Sequence, residues 1–262
     1  MSQPRVLMIH GMWGGPWCWD GWRARFEAAG LRCLVPALPY HDADPRDPPD
    51  PRLGRTSLLD YAEALAGTIR ALDTPPILVG HSMGGLLAQM LATRGLARAL
   101  VLLAPAAPAG ILALSPAVLR SFWPILTRWG FWRRPVRPSL DQARYALLHR
   151  LPSHEQKAIH ERFVHESGRA VFEIGLWPLD RRHASRVEPA QVRCPVLVLA
   201  GRENRITPAW ALRRVARRYG AAAACLEFER HAHWLPAEPG WEALADTALS
   251  WLRAQGGLGA AA

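Results

Sequence analysis

Six short apolar runs, separated by longer amphipathic stretches, most restrict how this 262-residue chain can fold. Several runs are apolar at every position, which is typical of strands buried on both faces of a sheet. The stretches between them have the length and patterning of helices, and strands that alternate with helices form parallel βαβ units. We therefore predict an α/β fold with a mostly parallel sheet flanked by helices. The predicted strands are 6–9, 31–35, 77–79, 99–103, 196–200 and 225–228.

Two regions interrupt this alternation. Residues 36–51 are dense in proline and aspartate, which predicts a surface loop whose acids are solvated turn formers. Residues 105–193 are rich in tryptophan and arginine, and we predict a helical insertion there. The helices predicted outside it are 17–29, 57–72, 83–94, 209–219 and 241–253.

Composition excludes several classes of protein. The net charge of +10 is carried almost wholly by arginines, since Lys157 is the only lysine, and they are spread too widely to predict a nucleic-acid partner. The four cysteines have neither metal-ligand nor disulfide spacing, so we expect no metal site. No apolar run is long enough to span a membrane, and no signal peptide precedes the first strand, which predicts a cytoplasmic location.

The segment Gly-His-Ser-Met-Gly at 80–84 gives the first indication of chemistry, because it joins a predicted strand to a predicted helix. A serine hydroxyl becomes a useful nucleophile when a sharp turn exposes it beside a base and oxyanion donors. Glycines at 80 and 84 remove the Cβ atoms that would obstruct such a turn. The segment predicts a nucleophile elbow carrying Ser82, although a strand-to-helix turn with an incidental serine has the same pattern.

Two other loops could complete such a site. The segment HGMWGG at 10–15 directly follows the first strand, and its glycines would let the backbone N–H of Met12 act with that of Met83 as an oxyanion hole. An ordinary strand–helix loop is the alternative. A base is expected on a loop near the C-terminus, where His233 follows the last strand. We interpret His231 as a surface or packing residue.

With these motifs, the chain resembles an α/β-hydrolase-fold protein over nearly its full length. The HGMWGG turn, the GHSMGG elbow, the GRENRITP turn at 201–208 and the late His233 occur in the order of that fold. Residues 10–19, HGMWGGPWCW, are similar to the corresponding turn in small cytoplasmic esterases and hydroxynitrile lyases.

The resemblance also implies a division of the chain into a core of residues 1–105 and 191–262 and a helical cap of residues 106–190. The clustered tryptophans and phenylalanines of the cap are predicted to line a pocket and to form the core of the cap. A membrane-surface contact through residues 129–134 is the less favoured alternative, because this aromatic and basic segment is short and has no helical stripe.

The sequence departs from the family at the third catalytic position. The family's aspartate after the penultimate strand corresponds to Asn204, and the alternative position is vacant because residues 99–140 contain no Asp or Glu. In the serine-protease template, an asparagine in place of the acid costs about 10⁴ in turnover. Four explanations stay open. Glu203 serves as the acid, Asn204 orients a neutral His233, the protein has a retired or different activity, or the asparagine was introduced to trap a ligand.

The resemblance implies a serine hydrolase of small, mainly apolar carboxylic esters or related acyl compounds, acting through an acyl-enzyme. Ser82 would attack the carbonyl carbon and His233 would act as general base and then acid. This chemistry requires no metal, nucleotide or organic cofactor. A lyase, a lactonase or a carbon–carbon hydrolase on the same fold is an alternative, as is a non-catalytic ligand-binding homologue.

Overall fold

A six-stranded, wholly parallel sheet forms the centre of the computed structural model, which describes residues 4–256. The strands, in chain order, are β1 (Arg5–Ile9), β2 (Arg32–Leu34), β3 (Ile77–His81), β4 (Ala99–Leu103), β5 (Pro135–Val136), β6 (Glu166–Ser167), β7 (Val196–Gly201) and β8 (Ala223–Phe228). The sheet has the order β2-β1-β3-β4-β7-β8, and β5 and β6 pair separately and antiparallel.

Helices pack around this sheet. In chain order they are α1 (Asp20–Ala28), α2 (Leu58–Arg70), α3 (Met83–Ala92), α4 (Pro116–Leu126), α5 (Leu140–Ala146), α6 (Ser153–Glu161), α7 (Gly168–Gly175), α8 (Ala209–Arg217) and α9 (Trp241–Ala254). Helix α2 begins with a capping box, in which the side chains of Ser57 and Asp60 each bond to the backbone of the other residue. The first predicted helix is shorter than expected, because Pro16–Trp19 forms a 3₁₀ turn before α1.

The prediction of a mostly parallel sheet is confirmed, and each predicted strand agrees with the structure to within two residues at either end. Strands β3, β4 and β7 are buried at every position, as continuous apolar runs predict for the middle of a sheet. Strands β2 and β8 form the two edges and are partly exposed. Within residues 4–256, no helix is both long and apolar enough to cross a bilayer.

Helices α4 to α7 and the β5–β6 pair lie between β4 and β7 in the chain, in the segment where the sequence predicts a helical insertion. Trp13 of the HGMWGG turn joins this insertion to the core through both its side chain and its backbone. Its indole N–H donates to the Val136 carbonyl over 3.1 Å, and its carbonyl accepts a hydrogen bond from the Val164 N–H over 2.9 Å. The insertion is therefore held against the turn that follows β1.

Candidate active site

Ser82 occupies the sharp turn between β3 and α3. Its φ angle of 52° lies in the left-handed region, and strain of this kind costs about 1–3 kcal/mol. Two backbone hydrogen bonds hold the turn. The Ser82 N–H donates to the Leu103 carbonyl over 3.0 Å, and the Ala106 N–H donates to the Ser82 carbonyl over 2.8 Å. The serine is thereby fixed at the carboxyl edge of the sheet, with 9% of its surface exposed.

Gly84 lets this turn lie directly against the end of β1. A Cβ added at this position would collide with the carbonyl oxygens of Ile9 and His10. The sequence-based expectation that glycine is required at position 84 is thus confirmed. The close approach sets the HGMWGG turn beside Ser82.

The buried ring of His10 holds the HGMWGG turn in shape. The Leu38 N–H donates to Nε2 over 3.2 Å, so Nε2 carries no proton, and the Nδ1–H donates to the Gly11 carbonyl over 2.9 Å. Burial, and then the nearby His41, lower the pKa of His10 to about 3. Since the ring stays neutral, the turn keeps one hydrogen-bonding pattern across neutral pH.

Met12 and Met83 contribute backbone N–H groups that have no acceptor among the hydrogen bonds of residues 4–256. Both residues line the same cavity as Ser82. Free N–H groups beside a serine can bind the negative charge that develops on an oxygen atom. The structure therefore brings together the three residues that the sequence assigns to the nucleophile and the oxyanion hole.

His233 reaches this edge of the sheet on the loop after β8. A Cβ on Gly201, the last residue of β7, would collide with the carbonyl oxygens of His231 and Ala232, so glycine lets the loop pass this close. The His81 Nε2–H donates to the His233 carbonyl over 2.8 Å, and burial lowers the pKa of His81 to about 4. His233 itself is 1% exposed and lies beside the elbow.

Asn204 lies against the His233 ring, with 3.2 Å between its Oδ1 atom and Nδ1 of the histidine. Its amide orientation is determined by other partners. Oδ1 accepts the N–H groups of Ile206 (2.9 Å) and Thr207 (3.0 Å), and Nδ2 donates to Thr207 Oγ1 over 2.8 Å. The Thr207 hydroxyl in turn donates to the Ala104 carbonyl over 3.2 Å. The oxygen of the amide, and not its nitrogen, therefore faces His233.

These contacts determine which nitrogen of His233 carries the proton. Nδ1 faces two acceptor oxygens, Asn204 Oδ1 at 3.2 Å and Thr207 Oγ1 at 3.5 Å, so the proton is on Nδ1 and Nε2 keeps its lone pair. Burial, followed by the neighbouring His81 and His149, holds the pKa of His233 well below its ordinary value. A neutral ring with a free Nε2 is the form that can accept a proton from a serine.

Glu203 is not brought to His233. Its carboxylate pairs with Arg150 over 3.5 Å, and 42% of its side chain is exposed. Its backbone N–H donates to the His231 carbonyl, while its charged side chain extends to the surface, where it avoids the cost of desolvation. Of the two candidates for the third catalytic position, the structure brings Asn204 and not Glu203 against His233.

A cavity of about 160 Å³ opens over Ser82. Its core side is formed by residues of the turns after β1, β3 and β7, and the insertion supplies the rest from the loop after β4 and from the region of α4 and α7. None of the described residues that line it is charged. Within residues 4–256 the Ser82 hydroxyl makes no hydrogen bond to His233, and such bonds are often long in the absence of substrate.

Sequence reasoning missed a buried ion pair between the core and the insertion. His41 Nδ1 lies 3.0 Å from the Pro39 carbonyl and Nε2 lies 3.1 Å from the Glu166 carboxylate, so both nitrogens face acceptors, an arrangement that favours the doubly protonated ring. Burial alone would lower the pKa of His41, but the charge and hydrogen bond of Glu166 outweigh it and raise the pKa. Tyr61 also donates to this carboxylate over 2.7 Å. No sequence pattern marks these residues, which lie far apart in the chain.

A second buried carboxylate, Glu173 of α7, was missed as well. It accepts hydrogen bonds from the Ser57 hydroxyl over 2.8 Å and from Arg169 Nε over 2.7 Å. Arg169 also donates to Asp180 over 2.9 Å. The i,i+4 spacing of Arg169 and Glu173 is a signal that could have suggested this pair. The network joins the start of α2 to the insertion.

Comparison with known proteins agrees with this architecture. The family model of the Alpha/beta hydrolase family matches residues 6–247. The chain is 32% identical over 94 residues to methylesterase 7 of Arabidopsis thaliana, which is 35% of each protein. It is 35% identical over 95 residues to the pimeloyl-[acyl-carrier protein] methyl ester esterase of Aromatoleum aromaticum, covering 36% of this chain and 33% of the relative. The match thus spans about a third of the length of these curated relatives.

Solved structures extend the likeness to the whole fold. The monoacylglycerol lipase of Paleococcus ferrophilus superposes with a TM-score of 0.70 over 97% of both chains, at 21% identity. An Arabidopsis methylesterase gives a TM-score of 0.70 at 14% identity, over 95% of this chain and 99% of the other. From the family match over most of its length and from its fold, the chain belongs to the alpha/beta hydrolase family.

Proposed function

We propose that this protein is a serine hydrolase of small, mainly apolar carboxylic esters or related acyl compounds. The observation that carries the proposal is the convergence of Ser82, the free N–H groups of Met12 and Met83, and a neutral His233 at one edge of the sheet, under an uncharged cavity. The partial match to relatives named as methyl ester esterases also supports ester hydrolysis.

In the first half of the reaction, Ser82 Oγ forms a bond to the carbonyl carbon while its proton passes to His233 Nε2. The carbonyl oxygen becomes an oxyanion, to which Met12 and Met83 donate their N–H groups. When the tetrahedral intermediate collapses, the bond to the leaving oxygen breaks and His233 returns the proton to that oxygen. An alcohol leaves and Ser82 is acylated.

In the second half, water attacks the acyl carbon and gives its proton to His233. The second tetrahedral intermediate collapses to the carboxylic acid, and the proton returns to Ser82 Oγ. Asn204 Oδ1 holds the Nδ1–H of His233 throughout both halves, which keeps Nε2 directed at the reacting atoms. Because an amide oxygen bears only a partial charge, it stabilises the imidazolium less than a carboxylate would, and we expect slow turnover.

A catalytically weakened ligand-binding homologue is the second candidate, and the amide at position 204 is the observation that favours it. Such a protein would keep the cavity and the elbow but lack the charge that stabilises a protonated His233.

A serine-directed fluorophosphonate probe separates the two candidates. We expect the folded protein to be labelled at Ser82, identified by peptide mass spectrometry, because labelling requires an activated hydroxyl. Ser121 is a matched control, since it is also 9% exposed and lies on α4. Ser121→Ala should label normally and Ser82→Ala should not. Folded protein that is not labelled would contradict the hydrolase proposal.

A further inference from the structure

Three leucines of the insertion both line the cavity and face solvent. Leu112, Leu114 and Leu119 are 51%, 52% and 40% exposed, so they border the opening of the cavity. We call them the leucine rim. Large apolar side chains grouped at a cavity mouth are typical of a binding surface, because removing apolar surface from water is favourable. The rim is therefore continuous with the cavity over Ser82.

The volume of the cavity limits what it can enclose. A dry cavity of about 150 Å³ is large enough to hold benzene, so the cavity here, at about 160 Å³, has room for a group of roughly six carbons. A longer chain attached to the reacting carbonyl must leave through the opening. It then runs over the leucine rim.

The charges near the opening favour an uncharged chain. None of the described residues that line the cavity is ionisable. Arg120, next to Leu119 in α4, does not line the cavity, and its guanidinium lies 4.0 Å from the centre of the Tyr145 ring. A carboxylate or an ammonium group on the chain would lose its hydration without gaining a partner.

We propose that the leucine rim is an outer subsite for the tail of the substrate, and that the substrate class is uncharged esters with an unbranched aliphatic chain longer than about six carbons. This proposal rests on the proposed function and extends it from small esters to medium-chain esters. Because burial of a methylene is worth about 0.8 kcal/mol, each carbon on the rim should raise kcat/KM by up to about fourfold.

The test is a chain-length series of p-nitrophenyl esters, from butanoate to decanoate, kept below their aggregation concentrations. Leu112→Ser/Leu114→Ser and Leu119→Gln should each lower the decanoate-to-butanoate ratio of kcat/KM at least tenfold, because decanoate loses more contact with the rim than butanoate does. Leu179→Ser is the control, because Leu179 is 68% exposed and does not line the cavity. An unchanged ratio, or an equal loss for both esters, would overturn the proposal.

A binding measurement keeps the rim testable if no ester is turned over. Binding is measured by tryptophan fluorescence with Ser82→Ala protein, which should bind methyl decanoate more tightly than methyl butanoate. The rim variants should reduce that preference. If the protein binds esters with this preference but hydrolyses none of them, the hydrolase proposal fails while the subsite stands. If the variants instead alter binding to phosphatidylcholine vesicles or sedimentation as a monomer, with the chain-length preference intact, the rim serves a lipid surface or a second copy and the proposal is wrong.

Discussion

Two buried histidines, His41 and His233, have hydrogen-bond partners of different charge. His41 Nε2 lies 3.1 Å from the carboxylate of Glu166, and its other nitrogen faces a carbonyl. His233 Nδ1 lies 3.2 Å from the amide oxygen of Asn204. The pKa of His41 is raised, whereas that of His233 is well below its ordinary value. Burial is similar at the two sites, but only His41 has a carboxylate that offsets it, while His81 and His149 lower the pKa of His233 further.

The difference shows how the molecule places its buried charge. A buried carboxylate is expensive unless it is paired and fully hydrogen-bonded. Glu166 meets this condition with His41, Tyr61 and the N–H of Ser167, and the result is a junction between core and insertion. The candidate catalytic base has no such carboxylate. The junction thus contains a fully hydrogen-bonded carboxylate, whereas the candidate base lacks a carboxylate that would stabilise its protonated form.

The largest expected effect is the exchange of the amide at position 204 for a carboxylate. Asn204→Asp can keep the N–H bonds of Ile206 and Thr207, and the Thr207 hydroxyl can turn to donate to the new oxygen. We expect kcat for p-nitrophenyl butanoate to rise at least tenfold, toward the factor of about 10⁴ in the serine-protease template. The acid limb of kcat/KM should also move to higher pH. If kcat does not rise, the amide is not what limits activation of Ser82.

The reverse exchange at the junction should destabilise the fold. Glu166→Gln removes the charge that pairs with His41, and breaking a buried pair costs up to about 3–5 kcal/mol. We expect the free energy of unfolding, measured with urea at pH 7, to fall by roughly 3 kcal/mol. This is the lower end of the range, because His41 can release its proton when Glu166 is neutralised. Asp44→Asn, which breaks the exposed pair with Arg46, is the control and should change little. Equal effects of the two variants would show that the buried pair adds nothing.

The two kinds of histidine should give stability opposite dependences on pH. The pKa of folded His41 is raised, so its contribution is fully present below about pH 6.5, the unfolded value, and is lost as pH rises through the folded pKa. His10 and His81 have pKa values of about 3 and about 4, so the unfolded chain binds their protons first and stability falls as pH drops below about 6.5. Urea unfolding of wild type and His41→Gln from pH 4 to 9 measures this. The variant should lose the alkaline decline only, and an unaltered alkaline decline would refute the role of His41.

The smallest effect is expected at Glu203, whose carboxylate is next in sequence to Asn204, the residue that contacts His233. Because its side chain pairs with Arg150 at the surface, Glu203→Gln should leave kcat and KM for p-nitrophenyl butanoate within about twofold. A fall by orders of magnitude would restore Glu203 as the acid and remove the contrast between His233 and His41.

The sheet and the elbow could be predicted from the sequence because local patterns specify them. Continuous apolar runs marked β3, β4 and β7, and glycines marked the turn at Ser82. The order of these motifs along the chain then implied that the loops carrying Met12 and His233 would lie beside Ser82. These predictions depend on periodicity and backbone geometry, which a single sequence carries.

The partners of buried polar groups could not be predicted in the same way. Glu203 and Asn204 are neighbours in one turn. The Asn204 side chain bonds to Thr207 of the same turn, whereas the Glu203 side chain pairs with Arg150, which only the fold brings near. His41 and Glu166 are separated by 125 residues and share no motif. The two-residue strands β5 and β6 are too short to show any period. Tertiary contacts decide all of these features.

Imidazole ¹⁵N NMR of the uniformly labelled protein, titrated from pH 8 to pH 4 and assigned with His41→Gln and His233→Gln, tests the contrast most directly. We predict that His41 has protons on both nitrogens at pH 7. We predict that His233 keeps a proton on Nδ1 and a bare Nε2 until the pH is well below 6.5, its ordinary pKa. A His41 that is neutral at pH 7, together with a His233 that titrates near 6.5, would contradict the account.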